Sequence, residues 1–470
     1  MVSERRVLQM GMAPIASAAV AAVIVPLMSW TVSTEDIGRF NLLQTYSALI
    51  AVMLAVGLDQ SFVRYYHEVR DDGKGTLFWR CFLPVLVATV LLSCFAAFFS
   101  SEISATVFQT HSARIGLIAL AVVVLSVVQR FMVVLARMRG AAGPFLVTQV
   151  APKGGTLVVL VGAALLNVTL EFNQLAVALL FGLIASAALV LRQVPRRGAS
   201  DDASVPSRGA LLKYGLPLAG SALAYSALQS LGSVGLSVFQ DVAAVGVFAV
   251  AVSLAAPATI VQVVLSALWA PIAYRWASEG VASQRVPQVL RMVCTLVTVG
   301  WLALGSFAWL AALVVPGKFS GVQYLVTGAI GPSLLYAVSE VSGIGIGIAQ
   351  RSNLMFVASL VSLGLGVAVG IPLIQHLGTQ GAVLAVLLAN TVMLVARTEL
   401  SATSWQPISR MEIYPGLAIA AALSAITVSF GAELSRVIYA IWFVTLMVAG
   451  FVGRHELAKV FRFGRNAIGW

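Results

Sequence analysis

Gly57-Leu58-Asp59-Gln60-Ser61-Phe62-Val63-Arg64-Tyr65-Tyr66-His67-Glu68 brings charge back into the chain after an almost wholly apolar run over residues 41–57. Together with the apolar run at 10–31, that run forms a helical hairpin. Each of its arms is long enough to cross a hydrocarbon core of about 30 Å. The hairpin occurs twice. Val7-Leu8-Gln9-Met10-Gly11 opens one copy and Leu211-Leu212-Lys213-Tyr214-Gly215 the other; Ile37-Gly38-Arg39-Phe40 is echoed by Val245-Gly246-Val247-Phe248, and Val63-Arg64-Tyr65 by Ala273-Tyr274-Arg275-Trp276. Two copies in the same order predict two halves around one site, an arrangement common among membrane carriers.

Composition places the whole chain in lipid. Its 470 residues are 60% hydrophobic and 10% charged, with a mean hydropathy of +0.96. Soluble domains carry about 25% charged residues. The net charge of +11 does not point to a nucleic-acid partner, because the cations alternate between loops instead of forming one patch. Cys81, Cys94 and Cys294 fall inside apolar segments and give neither a disulfide framework nor a metal-ligand spacing.

The pattern predicts an all-α polytopic membrane protein of about fourteen spans: 10–31, 41–63, 78–99, 115–136, 144–166, 174–192, 211–238, 243–270, 287–314, 324–349, 354–375, 381–402, 413–431 and 436–453. With the N-terminus in the cytoplasm, the outer loops hold only Arg39, Arg114, Lys318 and Arg436, as the positive-inside rule requires. Both termini are then inside, and the basic C-terminal tail faces anionic inner-leaflet lipid. A Gly-, Pro- and Ser-rich stretch at 194–209 reads as a cytoplasmic linker. It separates a six-helix lobe at 1–193 from a second at 210–405, with two further helices and the tail at 406–470. Lobes of even helix number keep one orientation, so the pseudo-two-fold axis relating them runs along the membrane normal.

The segments Ser33-Thr34-Glu35-Asp36-Ile37-Gly38, Gly57-Leu58 through Arg64-Tyr65-Tyr66, Leu212-Lys213-Tyr214-Gly215-Leu216-Pro217 and Ala270-Pro271-Ile272-Ala273-Tyr274-Arg275 resemble the recurrent segments of Wzx-type flippases. These are the polysaccharide and O-antigen branch of the multidrug, oligosaccharidyl-lipid and polysaccharide (MOP) exporter superfamily. The resemblance is sharpest over about 1–80 and 205–285. It implies a V-shaped, two-lobed fold with alternating access and an undecaprenyl-pyrophosphate-linked oligosaccharide as substrate. That substrate would move from the inner to the outer leaflet of the bacterial plasma membrane, with the polysaccharide polymerase and chain-length machinery as partners. The chain departs from its relatives at Leu231-Gly232-Ser233-Val234-Gly235, where an Asp-Arg pair is common.

Cations deep in a span cost about 2.5–3.5 kcal/mol on insertion scales and need a reason. Lys153 lies about nine residues past the inner start of its helix, roughly 14 Å deep at 1.5 Å per residue. Arg130 shares a helix face with Arg137, and Arg397 follows Asn390 by one heptad. With Arg64, these cations have two readings: a vestibule for a pyrophosphate, or snorkelling to the inner interface. Depth favours the first for Lys153. In the second half, polar residues recur at helical spacing: Ser221, Tyr225, Gln229 and Ser233; Thr259, Gln262 and Ser266; Ser333, Tyr336 and Glu340. Such stripes suit a sugar, or else bridge helices in lipid. Glu340 is either a coupling site for H⁺ or Na⁺ or the partner of a cation across the cavity.

No catalytic residues, metal site or cofactor are expected, since the chain has no zinc-ligand cluster, Walker A motif or dinucleotide loop. A membrane-embedded glycosyltransferase or polymerase would need a sizeable charged outer loop. A cation-coupled multidrug antiporter and a lipid II flippase, both of the same superfamily, are the nearer alternatives.

Overall fold

The computed structural model describes residues 4–195, 205–351, 353–456 and 458. Most of the expected linker, 196–204, and the basic tail from 459 onward lie outside the described residues. Among the described residues the fold is all helical, with a single isolated bridge between Val32 and Leu170. The chain divides into two compact units, Met1–Ala249 and Val250–Trp470.

The first unit contains α1 (Glu4–Thr31), α2 (Thr34–Ala55), α3 (Leu58–Tyr65), α4 (Lys74–Ala97), α5 (Ser100–Phe108), α6 (Ala113–Met138), α7 (Ala142–Leu166), α8 (Phe172–Leu191) and α9 (Arg208–Phe239). Helix α10 (Val242–Leu254) carries the division. The starts of these helices are set locally. Ser33, Ser112 and Ser207 each accept a bond from a backbone N–H of the first turn, and Glu171 with Gln174 forms a capping box. Each cap satisfies donors that lipid leaves without a partner.

The hairpin arm expected at 41–63 is two helices, because Val56 and Gly57 both take left-handed backbone at φ 47° and 72°. Hydropathy does not register that break, since apolar residues continue across it. Gly57 is required there: a Cβ would meet the backbone of Gly215 on α9. Ser61 reinforces the contact by donating to the Leu211 carbonyl at 2.6 Å. On its other side α3 is held by a ladder of rings. Phe62 stands edge-on to Phe78 at 5.7 Å, Phe78 stacks on Phe82 at 5.2 Å, and Phe82 reaches Phe131 of α6 at 5.2 Å. Helix α4 also ties down both sides of the 196–204 stretch, as Trp79 Nε1 donates to Pro195 O at 2.9 Å and Arg80 to Val205 O at 2.9 Å.

The second unit contains α11 (Ala256–Ser278), α12 (Ala282–Ser306), α13 (Ala311–Val314), α14 (Val322–Ser342), α15 (Ile344–Ile348), α16 (Asn353–Ser404) and α17 (Arg410–Val452). Helix α14 is its axis, packed on α11, α12, α16 and α17. Buried indoles mark the joints: Trp301 Nε1 donates to Thr327 O at 3.3 Å, and Trp442 Nε1 to Thr427 Oγ1 at 2.8 Å. The spans expected at 243–270 and 287–314 are each divided, the first between α10 and α11 and the second after Ser306. The two pairs expected at 354–402 and 413–453 follow one another without a loop: α16 and α17 are each two helices that meet at a residue with non-helical backbone, Gly378 and Leu434. Gly378 accepts a φ of 55° that a side chain would oppose.

Eleven of the described helices are long and apolar enough to cross a membrane. Large apolar side chains are exposed along them, among them Leu91, Phe95 and Phe98 near the end of α4 and Val444, Met447 and Phe451 near the end of α17. Faces of this kind are unfavourable in water and suit lipid. The chain is a multi-pass membrane protein.

Candidate functional site

The ring ladder and the break at Gly57 place Asp59 on the first turn of α3, facing α6. Its carboxylate is enclosed, and Oδ2 meets Arg130 Nη2 at 2.7 Å; the two side chains are 2% and 27% exposed. Gln60 donates to the same oxygen at 2.9 Å. Arg130 opens onto a cavity of about 560 Å³ within the first unit. Its polar wall comes from Gln44 and Ser47 of α2, Asp59 and Gln60 of α3, Ser126, Gln129, Arg130 and Arg137 of α6, and Ser226 of α9. Gln129 is fixed on both sides, donating to Thr148 O of α7 at 2.5 Å and accepting from Ser186 of α8 at 2.8 Å.

This wall can hold an anion and hydroxyl-rich groups together. Arg130 and Arg137 lie seven residues apart on one helix, about 10 Å along its axis, which is two turns on the same face. Around them stand neutral amides and hydroxyls. Ser47 Oγ and Arg130 Nε are buried and have no hydrogen-bond partner.

A second polar centre lies in the second unit, around α14. Arg397 of α16 is 6% exposed. Its guanidinium donates to Ser339 Oγ at 3.2 Å and lies 4.8 Å from the ring centroid of Tyr336. Tyr336 and Ser266 of α11 both hydrogen-bond Glu340. One turn away, Ser342 and Thr398 bridge α14 and α16 at 2.8 Å, and Thr259 and Ser333 bridge α11 and α14 at 3.1 Å. Here protein encloses the guanidinium instead of leading it out to an interface.

A family model described as polysaccharide biosynthesis protein matches residues 5–276. The chain belongs to the polysaccharide biosynthesis protein family. Among solved structures, it is similar to the lipid II flippase MurJ in an inward closed conformation, with 11% identity and a TM-score of 0.70 over 96% of this chain and 100% of that one. An inward-facing multidrug resistance MATE transporter of the MOP superfamily is 15% identical at a TM-score of 0.57, covering 84% of this chain and 97% of the transporter. An outward-facing MATE transporter gives 13% and 0.55 over 85% and 95%. At these identities the likeness is one of fold. Comparison with curated protein sequences returns no match.

Within this member of the polysaccharide biosynthesis protein family, the cations singled out by depth do not share one place. Arg130 lines the first-unit cavity. Lys153 stands outside that lining; on α7 it turns toward α1, where Nζ donates to Ser17 O at 3.2 Å. Arg64 pairs with Glu68 one turn on, with both side chains about half exposed. Arg397 and Glu340 belong to the second polar centre with Tyr336. The α9 stripe divides: Ser233 is buried and donates to Asn41 of α2 at 2.8 Å, Tyr225 is half-buried, and Gln229 is exposed. Gln262 on α11 is half-buried. Sequence reasoning missed Gln44, Ser47, Gln60, Gln129 and Arg130's partner Asp59. The signal available was an acid one residue after a Gly-Leu break, 71 positions from its arginine.

Proposed function

We propose that the chain is a flippase that carries undecaprenyl-pyrophosphate-linked oligosaccharide repeat units from the inner to the outer leaflet of the bacterial plasma membrane, by alternating access, for surface polysaccharide synthesis. The observation that carries this reading is the first-unit cavity, which offers two arginines among amides and hydroxyls in a membrane chain of the polysaccharide biosynthesis protein family. A diphosphate accepts charge-assisted, forked hydrogen bonds from arginine, and a sugar takes many modest bonds from amides and hydroxyls. Fourteen crossings follow if α16 and α17 each count as two and α1 counts as one; both termini are then cytoplasmic. Two six-helix lobes and a C-terminal pair complete the architecture in this reading, with polymerase and chain-length proteins receiving the product.

Lys153 and Arg64 act nearer the path of entry, and Tyr225, Gln229, Gln262, Tyr336 and Arg397 meet the sugar or support the groups that do. Glu340 takes the coupling H⁺ or Na⁺ in this reading. The likeness to a lipid II flippase, which extends over 96% of this chain, favours one second reading. Deleting the gene in its native host separates these readings from one another and from drug export. Loss of a surface polysaccharide with unchanged drug resistance and intact cell wall is the expected result. Cell lysis with wall-precursor accumulation identifies lipid II as the substrate, and normal polysaccharide with new drug sensitivity overturns the flippase reading.

A further inference from the structure

Stability alone does not account for the Asp59–Arg130 pair. An enclosed ion pair is favourable only when its remaining donors and acceptors are satisfied. Here Asp59 Oδ1 and Arg130 Nε have no partner, and neither has Ser47 Oγ in the same cavity wall. The asymmetry of burial has a direction. Asp59 is 2% exposed and held by Gln60, whereas Arg130 is 27% exposed and faces the cavity. The carboxylate is fixed, and the guanidinium is the movable partner. A guanidinium carries five N–H donors, more than one carboxylate oxygen can use.

We infer that Asp59 is a built-in competitor for the anionic group that the cavity admits: it holds Arg130 while the cavity is empty, and a diphosphate takes the guanidinium from it. The inference rests on the phosphate-binding reading of the cavity. A monoanionic ligand would only exchange one single charge for another on Arg130. A diphosphate brings more charge and more acceptor oxygens, and Arg137, about 10 Å along the same helix face, offers a second cation. Leaving the enclosed Asp59 without its cation is a cost common to every ligand; a diphosphate gripped by both arginines offsets it, and a weakly charged headgroup does not. Asp59 thus sets the charge a ligand must carry, acting through Arg130 as a positioning residue.

The test uses the full chain in lipid nanodiscs, with farnesyl diphosphate and farnesyl monophosphate as probes and affinity as the readout. Wild type should prefer the diphosphate. Asp59→Asn should tighten both probes by about tenfold, since the cost of displacing Asp59 is common to them. Arg130→Gln should abolish binding, and Asp59→Asn combined with Arg130→Gln should bind no better than Arg130→Gln alone. If Asp59→Asn cannot be recovered folded, Asp59→Ser removes the same charge and should tighten the monophosphate in the same direction. Unchanged or weaker binding in Asp59→Asn, or in Asp59→Ser in its place, with Arg130→Gln still defective, overturns the inference and leaves the cavity reading standing. Absence of binding in wild type and in every variant overturns both.

Discussion

Gly38 and Gly246 close one contact from opposite sides: a Cβ on Gly38 would strike the carbonyl of Val242, and a Cβ on Gly246 the carbonyl of Thr34. Each glycine meets the residue four positions before the other, and both pairs of equivalents stand 208 residues apart. Reciprocal contacts of this kind are what a two-fold relation produces. The two glycines lie at the centre of the repeated Ile37-Gly38-Arg39-Phe40 and Val245-Gly246-Val247-Phe248 segments. Two segments alike in sequence thus pack on one another within the first unit. Gly38→Ala and Gly246→Ala should each lower the melting temperature of the detergent-purified protein, and by similar amounts, since each inserts a methyl against backbone. A loss confined to one of them, measured by thermal denaturation monitored on a sizing column, would show the contact to be one-sided.

Two neighbouring glycines on α7 should behave oppositely. A Cβ on Gly155 would lie 2.5 Å from Ala178 O of α8, whereas one on Gly154 would meet nothing within 4 Å. Gly155→Ala should cost about 1–3 kcal/mol through overpacking. Gly154→Ala should be neutral or stabilise by about 0.5–1 kcal/mol, because alanine loses less backbone freedom in a helix. Thermal stability of the two purified variants checks both signs.

The bilayer-crossing segments were legible because lipid demands apolar runs and allows no unpaired backbone; α6, α7 and α8 begin and end within two residues of their sequence-based limits. The break between α2 and α3 was not legible. Val56 and Gly57 lie inside an apolar run, and only the close approach of Gly215 from another segment demands the left-handed turn. Helix α5 was missed because its nine residues are too short to cross a membrane and too mixed to show a period. The site was legible as single residues and not as a constellation. Depth in a span picked out Arg130 and Lys153 alike, but depth carries no azimuth. One faces the cavity, and the other turns to a carbonyl of α1.

Lys153 remains a sharp test of the vestibule. Its ammonium sits beside Pro152 and Gly154-Gly155 in the chain and donates to the Ser17 carbonyl of α1. Lys153→Ala should reduce surface polysaccharide severalfold at unchanged protein level, and Lys153→Arg should retain part of the activity. Arg351→Ala, at an exposed position ahead of α16, should be nearly silent. Immunoblotting for protein and quantification of surface polysaccharide in a complemented deletion strain give both readouts.

The second polar centre predicts a ranked series. Tyr336→Phe keeps the ring under the Arg397 guanidinium, and Tyr336→Leu removes it. A desolvated cation–π contact contributes about 2 kcal/mol, so Tyr336→Leu should be the less stable of the two. Arg397→Leu should be more harmful than either, because it leaves the Glu340 cluster without its neighbouring cation. Melting curves of the three purified variants test the order.

The orientation is tested from outside the cell. With Ser200→Cys placed in a chain lacking its three native cysteines, an impermeant maleimide should label only inverted membranes and not intact spheroplasts. Labelling of intact spheroplasts contradicts cytoplasmic termini.

Transport itself is measured most directly in proteoliposomes. A fluorescent undecaprenyl-pyrophosphate oligosaccharide is incorporated into both leaflets, and a membrane-impermeant reductant is added outside. With wild-type protein, reduction should proceed beyond the outer-leaflet fraction toward completion; with Arg130→Gln it should stop near that fraction, and a lipophilic cationic dye should not be moved by either. Wild-type protein that leaves the inner-leaflet lipid protected while moving the dye would contradict the account.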